Sequence, residues 1–191
     1  MNSIKKNYAF VLKSIKKDRT LKPTTDSLKN KNYIVAGGTR GIGFNIAKKL
    51  ALYGANVTII GKTESKHPKL NGTIYSAAEE ITELTQKSNC MAIPCDIRDP
   101  EQMDLVISKT LETYGNIDGV VLNASALCLN NTIKQTQKEV DLMSGVNING
   151  TYLFGQKCLQ HMRNNEQGHM LIIAPPLNML YDDDWWINHI Y

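Results

Sequence analysis

Two rhythms of apolar residues alternate along this chain. Short continuous runs, Tyr33-Ile34-Val35-Ala36, Ala55 to Ile60, Cys90 to Pro94, Gly119 to Leu122 and His169 to Ala174, predict strands buried on both faces. Between them the apolar positions fall three and four apart. Ile42, Ile46 and Leu50 mark a helix over 41–53, and Ile74, Ala77, Ala78, Ile81 and Leu84 one over 73–87. Met103, Val106, Ile107 and Leu111 mark a third over 100–114, and Met143, Val146, Tyr152 and Leu153 a long one over 136–163. Gly54 ends the first helix, and Asp99-Pro100-Glu101 reads as the cap that opens the third. Strand and helix alternate throughout, so the class is α/β with a parallel sheet.

The stretch joining the first strand to the first helix, Gly37-Gly38-Thr39-Arg40-Gly41-Ile42-Gly43, carries the clearest chemistry. Glycines there permit a tight turn and a close backbone approach. The helix that follows offers unpaired N–H groups to an anion. Strand, glycine turn, helix is the geometry that holds a dinucleotide pyrophosphate.

The ends of the later strands add to this. An acid at the end of the second strand would accept a hydrogen bond from a ribose 2′-hydroxyl and favour NAD, whereas a base would pair a 2′-phosphate and favour NADP. Here Gly61 is followed by Lys62, and Arg40 in the glycine loop adds a second cation, so the reading is NADP. Asp96, just past the third strand, is placed to meet the adenine amino group, since Asp99 is the better cap and leaves it free. Asn123 ends the fourth strand among small residues, Asn123-Ala124-Ser125-Ala126, where it can bond backbone and brace the neighbouring turn. Asn147 stands inside the long helical segment, where a local backbone bond that kinks the helix or a part in a proton relay would explain it.

Composition narrows the partners. The 191 residues suit one domain, and 42% hydrophobic content allows a sizeable core. The net charge of +4 is concentrated in residues 1–31, where nine Lys or Arg face two Asp, so no nucleic-acid surface is implied for the remainder. Residues 1–30 stand apart as a basic extension. Ile4, Tyr8, Val11 and Ile15 recur at helical spacing among lysines, the pattern of a mitochondrial targeting segment or of a surface arm. Cys90, Cys95, Cys128 and Cys158 lack metal-site spacing and read as free thiols. His67, alone beside Pro68, reads as loop structure, and no apolar run reaches the roughly 18 residues of a membrane span.

With the glycine pattern, Asp96, Asn123-Ala-Ser-Ala and Asn147-x-x-Gly150 in one order, the chain resembles the short-chain dehydrogenase/reductase family from about Tyr33 onward. The resemblance implies a Rossmann-type doubly wound parallel sheet. It also implies an NADP-dependent oxidoreductase interconverting a carbonyl and a hydroxyl group on a small, lipid-related molecule. The expected location is the mitochondrion, with the cytoplasm or peroxisome as alternatives, and family relatives pair through the long helix and its successor, so a homo-oligomer is expected of a complete chain. On this likeness Gly37 to Gly43 hold the pyrophosphate, Lys62 the 2′-phosphate, Asp96 the adenine and Asn123 the cofactor edge, while Asn147 matches the relay asparagine. The family's carbonyl-polarising serine would fall at Ala174-Pro175, and its Tyr-x-x-x-Lys pair at or past Tyr191. The sheet is accordingly expected to be cut short after the fifth strand. The alternative readings are a nucleotide-binding pseudoenzyme and an inactive fragment.

Overall fold

The computed structural model describes residues 26–66, 71–87, 89–128, 130, 132–162 and 168–174. Residues 1–25, His67 and 175–191, with Pro175 and Tyr191 among them, lie outside the described residues.

Five strands form one parallel sheet: β1 (Asn32–Ala36), β2 (Asn56–Gly61), β3 (Cys90–Pro94), β4 (Gly119–Leu122) and β5 (His169–Ile172). Their order across the sheet is β3-β2-β1-β4-β5. The helices are α1 (Gly41–Leu52), α2 (Ile74–Thr85), α3 (Pro100–Tyr114), α4 (Gln137–Met143) and α5 (Thr151–Met162). Alternate residues along each strand feed opposite faces. Val35, Val57, Ile59 and Val121 meet Ala47 and Ala51 of α1 and Ala77, Ala78 and Ile81 of α2. Ile34, Ala36, Ile60, Val120 and Leu122 meet Met103 and Val106 of α3 and Phe154 and Cys158 of α5. Helices on both faces make the doubly wound arrangement, and explain why the strands read as unbroken apolar runs.

Local signals set the boundaries. Thr73 accepts from the Ser76 N–H while the Ser76 hydroxyl accepts from the Thr73 N–H, a reciprocal cap opening α2. Asp99 accepts from the backbone of Glu101 and Gln102, with Pro100 in the first turn of α3, as the sequence predicts. Thr136 and Glu139 cap α4 in the same reciprocal way as Thr73 and Ser76.

Three expectations need correction. The helix expected over 136–163 is not uniform, because Ser144–Gly150, between α4 and α5, is wound as a π-helix. Residues 26–30, assigned by composition to the N-terminal extension, fold as turns on the domain. The Leu28 N–H donates to the Tyr53 carbonyl, and its side chain joins the α1–α2 core. The last strand ends at Ile172 rather than Ala174, since pairing with β4 stops at Leu122.

The amino ends of the strands are closed by a buried polar network. Asp118, 3% exposed, accepts from the Asn32 backbone N–H at 2.9 Å, from Asn116 at 3.1 Å and from Lys31 at 3.2 Å. Asn32 donates to the Tyr114 carbonyl and to Asn116, and accepts from Asn56 at 2.8 Å. Asn89 donates to the carbonyls of Ala51 and Ala55 and accepts from Thr85, tying α1, β2 and α2 together. Satisfied buried amides of this kind cost little to bury and fix the register of the elements they join.

Candidate nucleotide-binding site

The chain runs from β1 to β2 and β3 in one direction across the sheet, then returns to β4 and β5 on the other side of β1. The loops after β1 and β4 therefore diverge and leave a crevice at the carboxyl ends of the strands. A cleft of about 360 Å³ occupies that place. Gly37, Thr39, Arg40, Lys62, Asp96 and Asn123 all line it. Four loops, one after each of β1 to β4, thus bring together residues that the sequence marked separately. Gly38, Gly41, Ile42 and Gly43 do not line the cleft themselves. They form the loop and the first turn of α1.

The glycine loop is built by two steric demands. Gly37 has φ of +75°, and a Cβ there would lie 2.9 Å from the backbone of Ala124. At Gly43 a Cβ would meet the Gly37 carbonyl oxygen at 2.2 Å, so α1 approaches the turn closely enough that only glycine fits. The Gly37 N–H donates to the Ile60 carbonyl, and Asn123 Nδ2 donates to the Gly37 carbonyl at 3.2 Å, the brace expected of it. Arg40 precedes α1 in extended conformation and supplies no side-chain cap, and the first turn holds no acid. The first N–H groups of α1 are thus left for an anion from outside the helix.

Cations surround the adjacent pocket. Arg40 Nη2 donates to Thr63 Oγ1 at 3.0 Å and to the Gly72 carbonyl at 3.4 Å, while its Nε is buried without a hydrogen-bond partner. Lys62 Nζ, on a side chain 56% exposed, lies 3.5 Å from Asp96 Oδ2. Asp96 is not free, as the sequence suggested it would be. Arg98 Nε and Nη2 grip both carboxylate oxygens at 2.5 to 3.1 Å, and the Arg98 backbone N–H adds a bond at 3.0 Å. The Arg98 side chain, against the opposing effect of burial, holds the Asp96 carboxyl down at about 2, with Lys62 contributing. Cys95 also lines the cleft, but burial and the nearby Asp96 and Asp99 push its thiol up to about 12, so it stays a neutral group.

Asn147 lies in the π-helical turn and reaches the loop after β4. Its Oδ1 accepts from the Ala126 N–H at 2.8 Å and its Nδ2 donates to the Ala126 carbonyl at 2.9 Å. The side chain replaces a strand partner for Ala126 and holds the cleft wall in place. Ala174 follows β5 with a methyl group that donates no hydrogen bond. Sequence reasoning missed Thr63 and Gly72, which hold Arg40 from loops 23 and 32 positions away, and Gln102 in the first turn of α3, which accepts from the Asp96 N–H. Arg98 had a signal, an acid and a base two residues apart in Asp96-Ile97-Arg98.

A parallel doubly wound sheet with a glycine-turned, uncapped helix at its switch point defines a dinucleotide-binding protein. A family model described as short chain dehydrogenase matches residues 31–176, and the chain belongs to the short-chain dehydrogenase/reductase family. It is 43% identical over 169 residues to hydroxysteroid dehydrogenase-like protein 2 of Xenopus tropicalis, covering 87% of this chain and 39% of that protein. The protein of the same name from Mus musculus is 45% identical over 159 residues, covering 82% of this chain and 32% of that one. Among solved structures, a short chain dehydrogenase from Mycobacterium thermoresistibile is similar at 40% identity with a TM-score of 0.73, covering 85% of this chain and 56% of that one. The chain thus spans about two-fifths or less of these curated relatives. Family and fold imply a nicotinamide nucleotide as cofactor. The residues present fit one: the open first turn of α1 and the orphaned Arg40 Nε both call for an anionic ligand. Among the described residues no helix is long and apolar enough to cross a membrane.

Proposed function

We propose that this chain binds NADP(H) in preference to NAD(H) and serves an oxidoreductase that interconverts a carbonyl and a hydroxyl group on a small, lipid-related molecule. The observation that carries the cofactor preference is the pairing of Arg40, with its buried unpartnered Nε, and Lys62 at the end of β2, where Gly61-Lys62-Thr63 supplies no acid for a ribose 2′-hydroxyl. Once bound, the nicotinamide supplies hydride transfer. The chain's own residues bind and orient it. The first turn of α1 receives the pyrophosphate, Arg40 and Lys62 the 2′-phosphate, and Asn123 and Asn147 keep the loops around it in register. The lipid-related substrate rests on the relatives' name, which refers to hydroxysteroids.

Two further readings belong with this one. The basic, amphipathic residues 1–25 support delivery to mitochondria, which a fluorescent fusion of that segment tests. The exposed Tyr152 and Leu159 of α5 support self-association, which light scattering tests.

The deciding experiment is a fluorescence titration of the Lys62→Glu variant with NADPH and NADH. NADPH affinity is expected to fall about tenfold or more, with NADH changed less than about threefold, because a carboxylate would then face the 2′-phosphate. Equal loss for both nucleotides would remove the 2′-phosphate role.

A further inference from the structure

The two charged groups expected at the adenosine end work against each other. Lys62 is needed as a free cation, yet Asp96 sits 3.5 Å away and is the obvious partner to neutralise it. A bare carboxylate there would also repel a 2′-phosphate dianion. Arg98 changes this balance. Its guanidinium makes three hydrogen bonds to the Asp96 carboxylate, the shortest at 2.5 Å to Oδ2, the oxygen that Lys62 approaches. A planar fork on a carboxylate outcompetes a single ammonium at longer range.

The clamp is built from several elements. The Asp96 N–H donates to Gln102 Oε1 at 2.8 Å, and Gln102 Nε2 donates in turn to Asp99 at 2.7 Å, so α3 fixes the carboxylate's backbone. The Arg98 stem runs over the π-helical turn, where Gly145 makes room for it: a Cβ at Gly145 would stand 3.3 Å from Arg98 Cδ. Asp96 therefore keeps its place at the cleft while its charge is spent on Arg98.

We propose that Arg98 is a specificity-determining positioning residue, which occupies Asp96 and so frees the Lys62 ammonium for the 2′-phosphate of the cofactor. It acts through Asp96 and Lys62. This inference rests on the NADP(H) reading above and names a residue that the reading itself does not need.

The test is calorimetric titration of the full chain with 2′,5′-ADP and with 5′-AMP, which differ only in the 2′-phosphate. For Arg98→Ala the affinity for 2′,5′-ADP is expected to fall about tenfold and that for 5′-AMP less than threefold, the contrast set by one unshielded carboxylate beside Lys62. Arg98→Lys, which keeps the charge, should recover part of the ratio. Asp96→Asn/Arg98→Ala should recover most of it, since nothing then captures Lys62. A merely structural Arg98 would lower both affinities together, and the double variant would be no better than the single one. Either result overturns the proposal. The two readings fail separately: a wild-type ratio near one removes the NADP(H) preference, whereas an unchanged ratio in Arg98→Ala removes the role of Arg98. If Arg98→Ala does not fold, the ratios of Arg98→Lys and of the double variant decide the matter by the same criteria.

Discussion

At the amino ends of the strands, Asn32, Asn56, Asn116 and Asp118 bond to one another and to nearby backbone. At the carboxyl ends some polar groups are left open. Arg40 Nε is buried with no partner among the described residues, the first turn of α1 has no side-chain cap, and Lys62 shares at 3.5 Å a carboxylate that Arg98 holds more closely. Both ends belong to the same short parallel strands. The difference is between polar groups that complete the protein and polar groups kept for something else. A closed network adds stability and specifies register. An open one forgoes part of that stability so that a charged ligand finds donors already oriented.

The comparison can be broken most severely at Gly43. Alanine there would force Cβ against the Gly37 carbonyl at 2.2 Å, and about 3 kcal/mol of stability should be lost together with nucleotide binding. Urea unfolding with a nucleotide titration on the folded protein measures both. A change at the opposite end should separate them. Asp118→Ala removes the acceptor of the Asn32 N–H and of Asn116, costing about 2 kcal/mol in urea unfolding. Nucleotide affinity of the folded variant should stay within twofold. A large loss of affinity would show that the two ends are coupled.

The smallest effect is that of acid. The Asp96 carboxyl sits at about 2 rather than its ordinary 3.8, so its ionised form stabilises the fold at every pH above the ordinary value. That contribution is lost as pH falls from 4 toward 2. It amounts to about 1 kcal/mol once solvent screening is allowed for. Denaturant midpoints across that interval should therefore fall less in Arg98→Ala, where the carboxyl returns toward its ordinary value, than in the wild type.

How much of this was legible in the sequence depends on the range of the interaction. The glycine loop, the β1–α1–β2 unit and the Asp99-Pro100 cap are local, and periodicity and turn chemistry revealed them. The family resemblance from Tyr33 onward was carried by motifs of the same kind. Asn123, at the strand end among small residues, was read as a brace for the neighbouring turn, and it does bond Gly37. The π-helical turn was hidden because Val146 and Gly150 keep nearly helical spacing whether the helix holds four or five residues per bond. The engagement of Asp96 by Arg98 was missed for a different reason. Ruling it out as a cap left it apparently idle, but a guanidinium two residues on folds back onto it. The buried amide network escaped notice because Asn32, Asn56 and Asn116 are far apart in the chain, and no local pattern announces their meeting.

The strand order also has a kinetic consequence. β1 is central, and its two neighbours come from very different distances along the chain: Asn32 meets Asn56 across 24 positions and Asp118 across 86. Loop-closure entropy makes the nearer pairing cheaper, so β1, α1 and β2 can nucleate before β4 docks. Asn123 bonds Gly37 across 86 positions, so the cleft is expected to close only once β4 has docked. Interactions made after the rate-limiting barrier slow unfolding and leave folding speed unchanged. A bound nicotinamide nucleotide should therefore lengthen the lifetime of the folded chain without hastening its birth, a difference that stopped-flow unfolding and refolding arms would display directly.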